Sequence, residues 1–247
     1  MLKVSAVVII RNEAENLKMS LPKLLWCNEI IIVDDFSTDE SISICESFGC
    51  KIFQRKLDGF GTQKNFAVSK AANNWVLSID ADELLTDELI EEIKHNLDNV
   101  KDNIAGFELK RQHAFMKRSF KYSKESQYYL RLFDRTKAAF NNNKVHETVQ
   151  TKYPVIKLKN TFIHNSFRDI AHYIQKQNYY TTLYAEEKFC LNKRNSIFVK
   201  LLTSPFVFFK TYFINLNFLE GIPGLAWSLF YSWFRLIKNF KLEEKYR

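Results

Sequence analysis

Four short apolar runs, at residues 3–10, 29–34, 50–53 and 75–79, alternate with stretches of helical period. That alternation restricts the chain more than any other feature. Each run is continuously apolar, as in strands covered on both faces, the condition of a parallel sheet. Between the runs, residues 13–25 bring Leu17, Leu21, Leu24 and Leu25 onto one face. Residues 38–48 open on Ser37-x-x-Glu40, a capping-box spacing, and stop at Gly49. Residues 62–73 and 87–99 are helical in pattern as well. Strand, helix, strand, helix predicts a doubly wound α/β domain with right-handed crossovers.

After about residue 104 the pattern changes. The segments "GFELKRQHAF" and "YYLRLFDR" alternate and predict an antiparallel extension of the sheet. "NNNKVHETV" reads as a polar loop entering another short strand, and from about residue 168 the chain is helical to its end. Pro205, Gly221 and Pro223 divide that end into about three helices. The expected organisation is a sheet domain over 1–165 and a helical region over 166–247.

Charge follows the same division. Residues 1–165 carry 24 Lys and Arg against 22 Asp and Glu, whereas residues 166–247 carry 12 against 6. Most of the overall charge of +8, a net of +6, therefore belongs to the helical third. It favours acidic partners, but no nucleic-acid-binding motif accompanies it, so no nucleic-acid partner is expected. Cys27, Cys45, Cys50 and Cys190 form no C-x-x-C pair, and reduced thiols of a cytoplasmic protein are expected. Arg11, Asn12 and Glu13 cut short the apolar start "MLKVSAVVII", which reads as a first strand, not a signal peptide.

In open α/β sheets ligands bind beyond the carboxyl ends of the strands. Two acidic clusters fall there. Asp34 and Asp35 end the second run, and Asp80 and Asp82 end the fourth. In an extended segment residues i and i+2 point to one side, so Asp80 and Asp82 can share a site. Converging carboxylates call for a cation, and sparse oxygen ligands suit Mg2+ or Mn2+ shared with substrate phosphates. The bland alternative is solvated carboxylates, with Asp82 or Thr86 capping the next helix.

The stretches "VVIIRNEAENL", "IIIVDDFSTD", "GFGTQKNFAVSKAANNWVLSIDADE" and "KVHETV", in that order, resemble the family 2 inverting glycosyltransferases of GT-A fold. The bacterial branch similar to lipopolysaccharide-core β-1,4-glucosyltransferases fits best. The resemblance covers about residues 3–150 and continues more loosely through "HNSFRDIAHYIQKQNYY". It implies a Rossmann-like sheet, a nucleotide-sugar donor such as UDP-glucose, and a lipid-linked glycan acceptor. By the same resemblance, Asn12 and Glu13 line the nucleotide pocket, and Asp35, with Asp34 beside it, accepts from the uracil or ribose. Lys64 and Asn65 approach the nucleoside and diphosphate, and Asp80 and Asp82 form the metal motif.

Inversion needs one displacement, with a base opposite the leaving group. Glu147 is the candidate base, with His146 beside it and Asp134 in reserve; Arg131 either meets an acceptor phosphate or pairs with an acid. A D-x-D phosphatase of haloacid-dehalogenase type places its motif after the first strand and continues it to Thr or Val. Here it follows the fourth and continues to Glu83. A non-catalytic sugar-nucleotide-binding scaffold would have no need of an intact D-x-D and Glu147. Finally, Phe206, Phe208, Phe209, Tyr212 and Phe213 make an apolar surface too broad for one packed stripe. Trp227, Tyr231 and Trp233 suit the headgroup level, and Lys200, Lys210, Arg235, Lys238 and Lys241 suit anionic lipid. A peripheral protein on the cytoplasmic face of the inner membrane is the expectation.

Overall fold

The computed structural model describes residues 2–124, 126–141, 147–167, 169–193 and 197–247. The chain divides into two compact units, Met1–Arg111 with Gln127–His164, and Gln112–Ser126 with Asn165–Arg247. In chain order the strands and α-helices up to His164 are β1 (Val4–Ile10), α1 (Ala14–Ser20), β2 (Glu29–Asp34), α2 (Ser41–Ser47), β3 (Lys51–Gln54), α3 (Phe60–Ser69), β4 (Trp75–Ser78), β5 (Glu83–Leu85), α4 (Asp87–Asp98), β6 (Gly106–Phe115), β7 (Arg118–Ser119), β8 (Gln127–Asp134), β9 (Ala138–Phe140), β10 (Val149–Thr151) and β11 (Val155–His164).

The main sheet has the order β3-β2-β1-β4-β8-β6-β11-β5. Strands β3, β2, β1 and β4 are parallel, while β8 runs antiparallel to β4 and β6, and β5 antiparallel to β11. This is the expected parallel sheet with an antiparallel extension. The continuous apolar runs have a simple cause: alternate residues feed two cores. Val8, Ile32 and Leu77 pack on one side with Leu17, Leu89 and Ile93. Val7, Ile31 and Val76 pack on the other with Ala67, Phe133 and Phe140. Register then fixes the site. Ile10 lies beside Asp34, and Val7 lies beside Ser78. Asp34 and the residues after Ser78 therefore leave the sheet at one end, flanking β1.

Two helix starts test the capping expectations. Thr86 does cap α4, accepting the Leu89 N–H at 3.2 Å. The Ser37–Glu40 box does not form. Ser37 instead donates its hydroxyl to Asp34 and accepts the Asn12 N–H at 2.9 Å, and α2 begins only at Ser41. A hydroxyl-to-carboxylate bond is charge-assisted and outcompetes a neutral cap.

The second unit holds β7, paired with the end of β6, and three helices, α5 (Ile170–Cys190), α6 (Ile197–Phe209) and α7 (Ile222–Lys245). Pro205 lies inside α6 and does not end it. The chain leaves α6 through a π-helical turn, Lys210–Ile214, and a 3-10 turn, Asn217–Glu220. Gly224 allows α7 to cross that turn closely, since a Cβ there would sit 1.9 Å from the Asn217 carbonyl oxygen.

Phe115 centres the aromatic core, edge-on to Tyr173 at 5.2 Å and Trp227 at 5.4 Å. Trp227 is thus a packing residue and not an interfacial anchor, because Phe115, Phe120, Phe167 and Tyr173 surround it. The aromatic run of α6 is also divided. Phe208 and Tyr212 stack on each other, half-buried, whereas Phe206, Phe209, Phe213 and Ile214 are exposed, as is Ile222 at the start of α7. Among the described residues no helix is long and apolar enough to cross a membrane.

Candidate active site

β4 ends at Ser78 and the chain turns through Asp80–Glu83, where the Glu83 N–H donates to the Asp80 carbonyl at 2.9 Å. Two buried cations meet Asp80 in this turn. Lys64 Nζ from α3 lies 2.7 Å from Oδ1, and Arg131 Nη2 from β8 lies 2.9 Å from Oδ2. Leu132 pairs with Leu77, so Arg131 comes level with the end of β4 by register alone. Lys64 also donates to Glu147 Oε1 at 2.8 Å. Arg131 also donates to Glu83 Oε1, and Glu83 Oε2 accepts the Asp80 N–H at 3.0 Å. The charges alternate along this chain: Glu83, Arg131, Asp80, Lys64, Glu147.

Burial pushes the Asp80 carboxyl up, but Arg131 and Lys64 outweigh it and hold the group well below the usual carboxylate range. Burial raises Glu83, and Arg131 only partly offsets that. Burial opposes the charge on Arg131, and Glu83 and Asp80 more than restore it.

Asp82 engages a different partner. Its Oδ2 lies 3.1 Å from Nε2 of His164, at the end of β11. The two side chains therefore face one point, where a divalent ion would meet both a carboxylate oxygen and an imidazole nitrogen. Among the described residues no group of three or more His, Cys, Asp or Glu is arranged to hold a metal. A two-residue donor set of carboxylate and imidazole, leaving positions for diphosphate and water, is compatible with Mg2+ or Mn2+.

The loops after β1 and β2 carry the other expected residues. Asn12 takes a left-handed φ of 55°, and its Oδ1 accepts the Thr38 N–H at 2.8 Å. Glu13 donates its N–H to Ser41 Oγ at 2.8 Å and accepts from the Asn16 amide at 2.6 Å. Asp34, fully buried, accepts the Ser37 N–H and hydroxyl. Asp35 accepts from Arg11 at 2.9 Å and from the Leu57 N–H at 3.0 Å. Asn65 faces β9, where its amide bonds both the carbonyl and the N–H of Phe140. This clamp holds α3 against β9 and thereby sets Lys64.

Asp134 is at the wrong end of the sheet to serve as a base near Asp80. It pairs with Trp75, at the start of β4, five residues and about 16 Å along the strand from Asp80. There it closes a turn with Thr136 and Lys137. Arg131 proves to be the partner of an acid, not an exposed anion site. His146 lies outside the described residues. No local sequence pattern gives Glu83 a role, and the stretch "HNSF", which opens on His164, is the available signal for that histidine.

Comparison with known proteins gives the arrangement its context. The family described as Glycosyl transferase family 2 matches residues 5–154, more than half of the chain. The lipopolysaccharide core biosynthesis glycosyltransferase LpsC of Rhizobium meliloti is 28% identical over 246 residues, with 92% of this chain and 89% of that protein covered. An uncharacterized glycosyltransferase of Rickettsia felis is 28% identical over 255 residues, covering 98% and 90%. In three dimensions the chain is similar to residues 1–349 of S. aureus TarS in complex with UDP. That match has a TM-score of 0.51 at 17% identity, covering 100% of this chain and 91% of that one. The shared architecture is GT-A-like. With acids at the carboxyl ends of β2 and β4, and a family match spanning the elements that present them, the chain belongs to glycosyl transferase family 2.

Proposed function

We propose that this glycosyltransferase moves a hexose, with inversion, from a UDP-sugar to a lipid-linked glycan of the lipopolysaccharide or lipooligosaccharide core. UDP-glucose is the first donor to test. The observation that carries the reading is Lys64, which joins Asp80 to Glu147 through bonds of 2.7 and 2.8 Å. It ties the D-x-D turn to a carboxylate suited to deprotonate an acceptor hydroxyl. The place of LpsC in lipopolysaccharide core biosynthesis supports the acceptor class, and the UDP bound by TarS supports the nucleotide.

In this reading Asn12, Glu13 and Asp35 form the nucleoside side of the pocket, the buried Asp34 braces their loop through Ser37, and Lys64 turns toward the diphosphate as it binds. Asp82 and His164 hold a divalent ion, with Asp80 beside them. When bound, Mg2+ or Mn2+ supplies Lewis-acid neutralisation of the charge on the leaving diphosphate. Glu147 takes the acceptor proton on the face opposite the leaving group. Asn65 keeps α3 in place so that Lys64 can serve both carboxylates.

The sheet unit catalyses, and the helical unit, which takes in residues 112–126 as well as the chain after His164, meets the membrane. The exposed face of Phe206, Phe209 and Phe213 supports peripheral contact with the inner membrane's cytoplasmic leaflet, because residues three and four apart share one side of a helix. Surface cations add roughly 1 kcal/mol each on anionic lipid.

The direct test screens nucleotide sugars against purified protein and a core-type lipid acceptor, with and without Mn2+. Metal-dependent consumption of a UDP-hexose is the expected result. Release of phosphate from small phosphoesters, without turnover of any nucleotide sugar, would move the protein to the phosphatase reading.

A further inference from the structure

Glu83 is 2% exposed and Arg131 8% exposed. A buried ion pair is a poor source of stability, since well-packed apolar residues of similar volume often do as well or better. The geometry offers another reason for its presence. Glu83 closes the Asp80–Glu83 turn from both ends, giving its N–H to the Asp80 carbonyl and taking the Asp80 N–H on Oε2. Its other oxygen holds Arg131, and the Arg131 guanidinium lies 5.5 Å from the Tyr129 ring centre and 6.0 Å from that of Phe162. The guanidinium is thus held by two aromatic rings and two acids. It takes Asp80 Oδ2 and leaves Oδ1 to Lys64, which in turn holds Glu147.

We infer that Glu83 and Arg131 are positioning residues. They set the rotamer of Asp80 and the path of the Asp80–Asp82 turn, and through Lys64 they set the place of Glu147. The inference rests on the proposed roles of Asp82 and Glu147. It goes beyond them by making one buried pair control both the metal-facing turn and the base. Neither residue needs to touch substrate.

The test is Glu83→Gln, which keeps size and shape. A glutamine has one acceptor oxygen, so it cannot serve both Arg131 and the Asp80 N–H, and its amide donors must face one of them. Losing an outer partner of a metal site costs about 10–100-fold in affinity or activity. Binding of Mn2+ in the presence of UDP, followed by paramagnetic resonance of the free ion, should weaken by about that factor. The kcat for transfer should fall by a similar factor, while circular dichroism stays that of the wild type. A purely structural pair would lower the melting temperature and leave Mn2+ affinity and kcat of the folded protein unchanged. That outcome overturns the inference.

Arg131→Lys provides the second variant should Glu83→Gln fold poorly, since the shorter lysine keeps the charge but cannot place its ammonium where Nη2 sits between both acids. The double variant Glu83→Gln/Arg131→Lys should lose no more kcat than the worse single, as expected of two residues acting as one unit. A crystal structure of Glu83→Gln gives a readout that needs no donor. The Asp80 carboxylate and the Asp80–Asp82 turn should shift from their wild-type places there, and an unmoved Asp80 refutes the positioning role even if the wild type binds no UDP-sugar. Failure of the wild type to bind any nucleotide sugar would count against the proposed function alone.

Discussion

Lys64→Met removes one buried cation from between two carboxylates. Lys64 is 3% exposed, while the side chains of Asp80 and Glu147 are 32% and 16% exposed. Taking one partner from a buried ion pair costs about 3–5 kcal/mol. Water reaches a third of Asp80, and Arg131 remains on its other oxygen, so about 2–3 kcal/mol is expected here. At roughly 2–4 °C per kcal/mol for a protein of this size, the melting temperature should drop by about 5–10 °C at neutral pH.

The pH dependence of that loss has a definite sign. The Asp80 carboxyl is held below its ordinary value of 3.8, so its pairing stabilises the fold fully above that pH and is lost as the pH falls through the lowered value. The difference between wild type and variant is therefore greatest near pH 7 and narrows in acid. Thermal unfolding of both proteins from pH 7 down to pH 3 measures it. Equal melting temperatures at pH 7, or a gap that already closes between pH 7 and about pH 4, would refute the argument. Loss of the cation proposed to face the diphosphate should also slow transfer by about 10²–10³-fold.

Asp82→Asn should fold normally yet lose the Mn2+ response of sugar transfer, and wild-type turnover that ignores chelator would dispose of the metal reading. Glu147→Gln should bind UDP-sugar calorimetrically like the wild type while transfer falls about 10²–10⁴-fold; undiminished transfer returns the role to His146. Replacing Phe206, Phe209 and Phe213 together by Ser should abolish flotation with anionic liposomes and leave donor binding intact. Wild-type protein that ignores such liposomes at low salt removes the main support for a membrane-bound acceptor.

What was legible in the sequence were the elements whose signal is local. The runs around Val8, Ile32 and Leu77 are apolar on both faces and announced the parallel strands. Thr86 stood at a cap position and occupies it. β11 was missed because Lys157, Lys159 and Asn160 interrupt its apolar pattern, as befits a strand that is only partly covered. β5, three residues long, exists only because β11 pairs with it. The acids were located correctly at the sheet's carboxyl end, but their partners come from far along the chain: Arg131 lies 51 residues from Asp80, and His164 lies 82 residues from Asp82. No local pattern encodes such pairings. The place of Asp134 is hidden for the same reason, since only the antiparallel register of β8 shows which end of β4 it meets.

The latch between the loops after β1 and β2 has a consequence for how this protein can be re-engineered. Asn12 and Phe36 both sit at positive φ, 55° and 54°, a backbone state that non-glycine residues rarely adopt. Cross-bonds compensate the strain: Asn12 N–H to Ser37, Thr38 N–H to Asn12, and Ser37 to the buried Asp34. Each loop is the other's scaffold, so the two form one transplantable cassette. A chimera that imports residues 11–13 from a relative without 36–39 would bring a strained Asn with no matching donor, and one that imports only 36–39 would strand Ser37. Donor specificity should therefore change hands between relatives only when both segments move together.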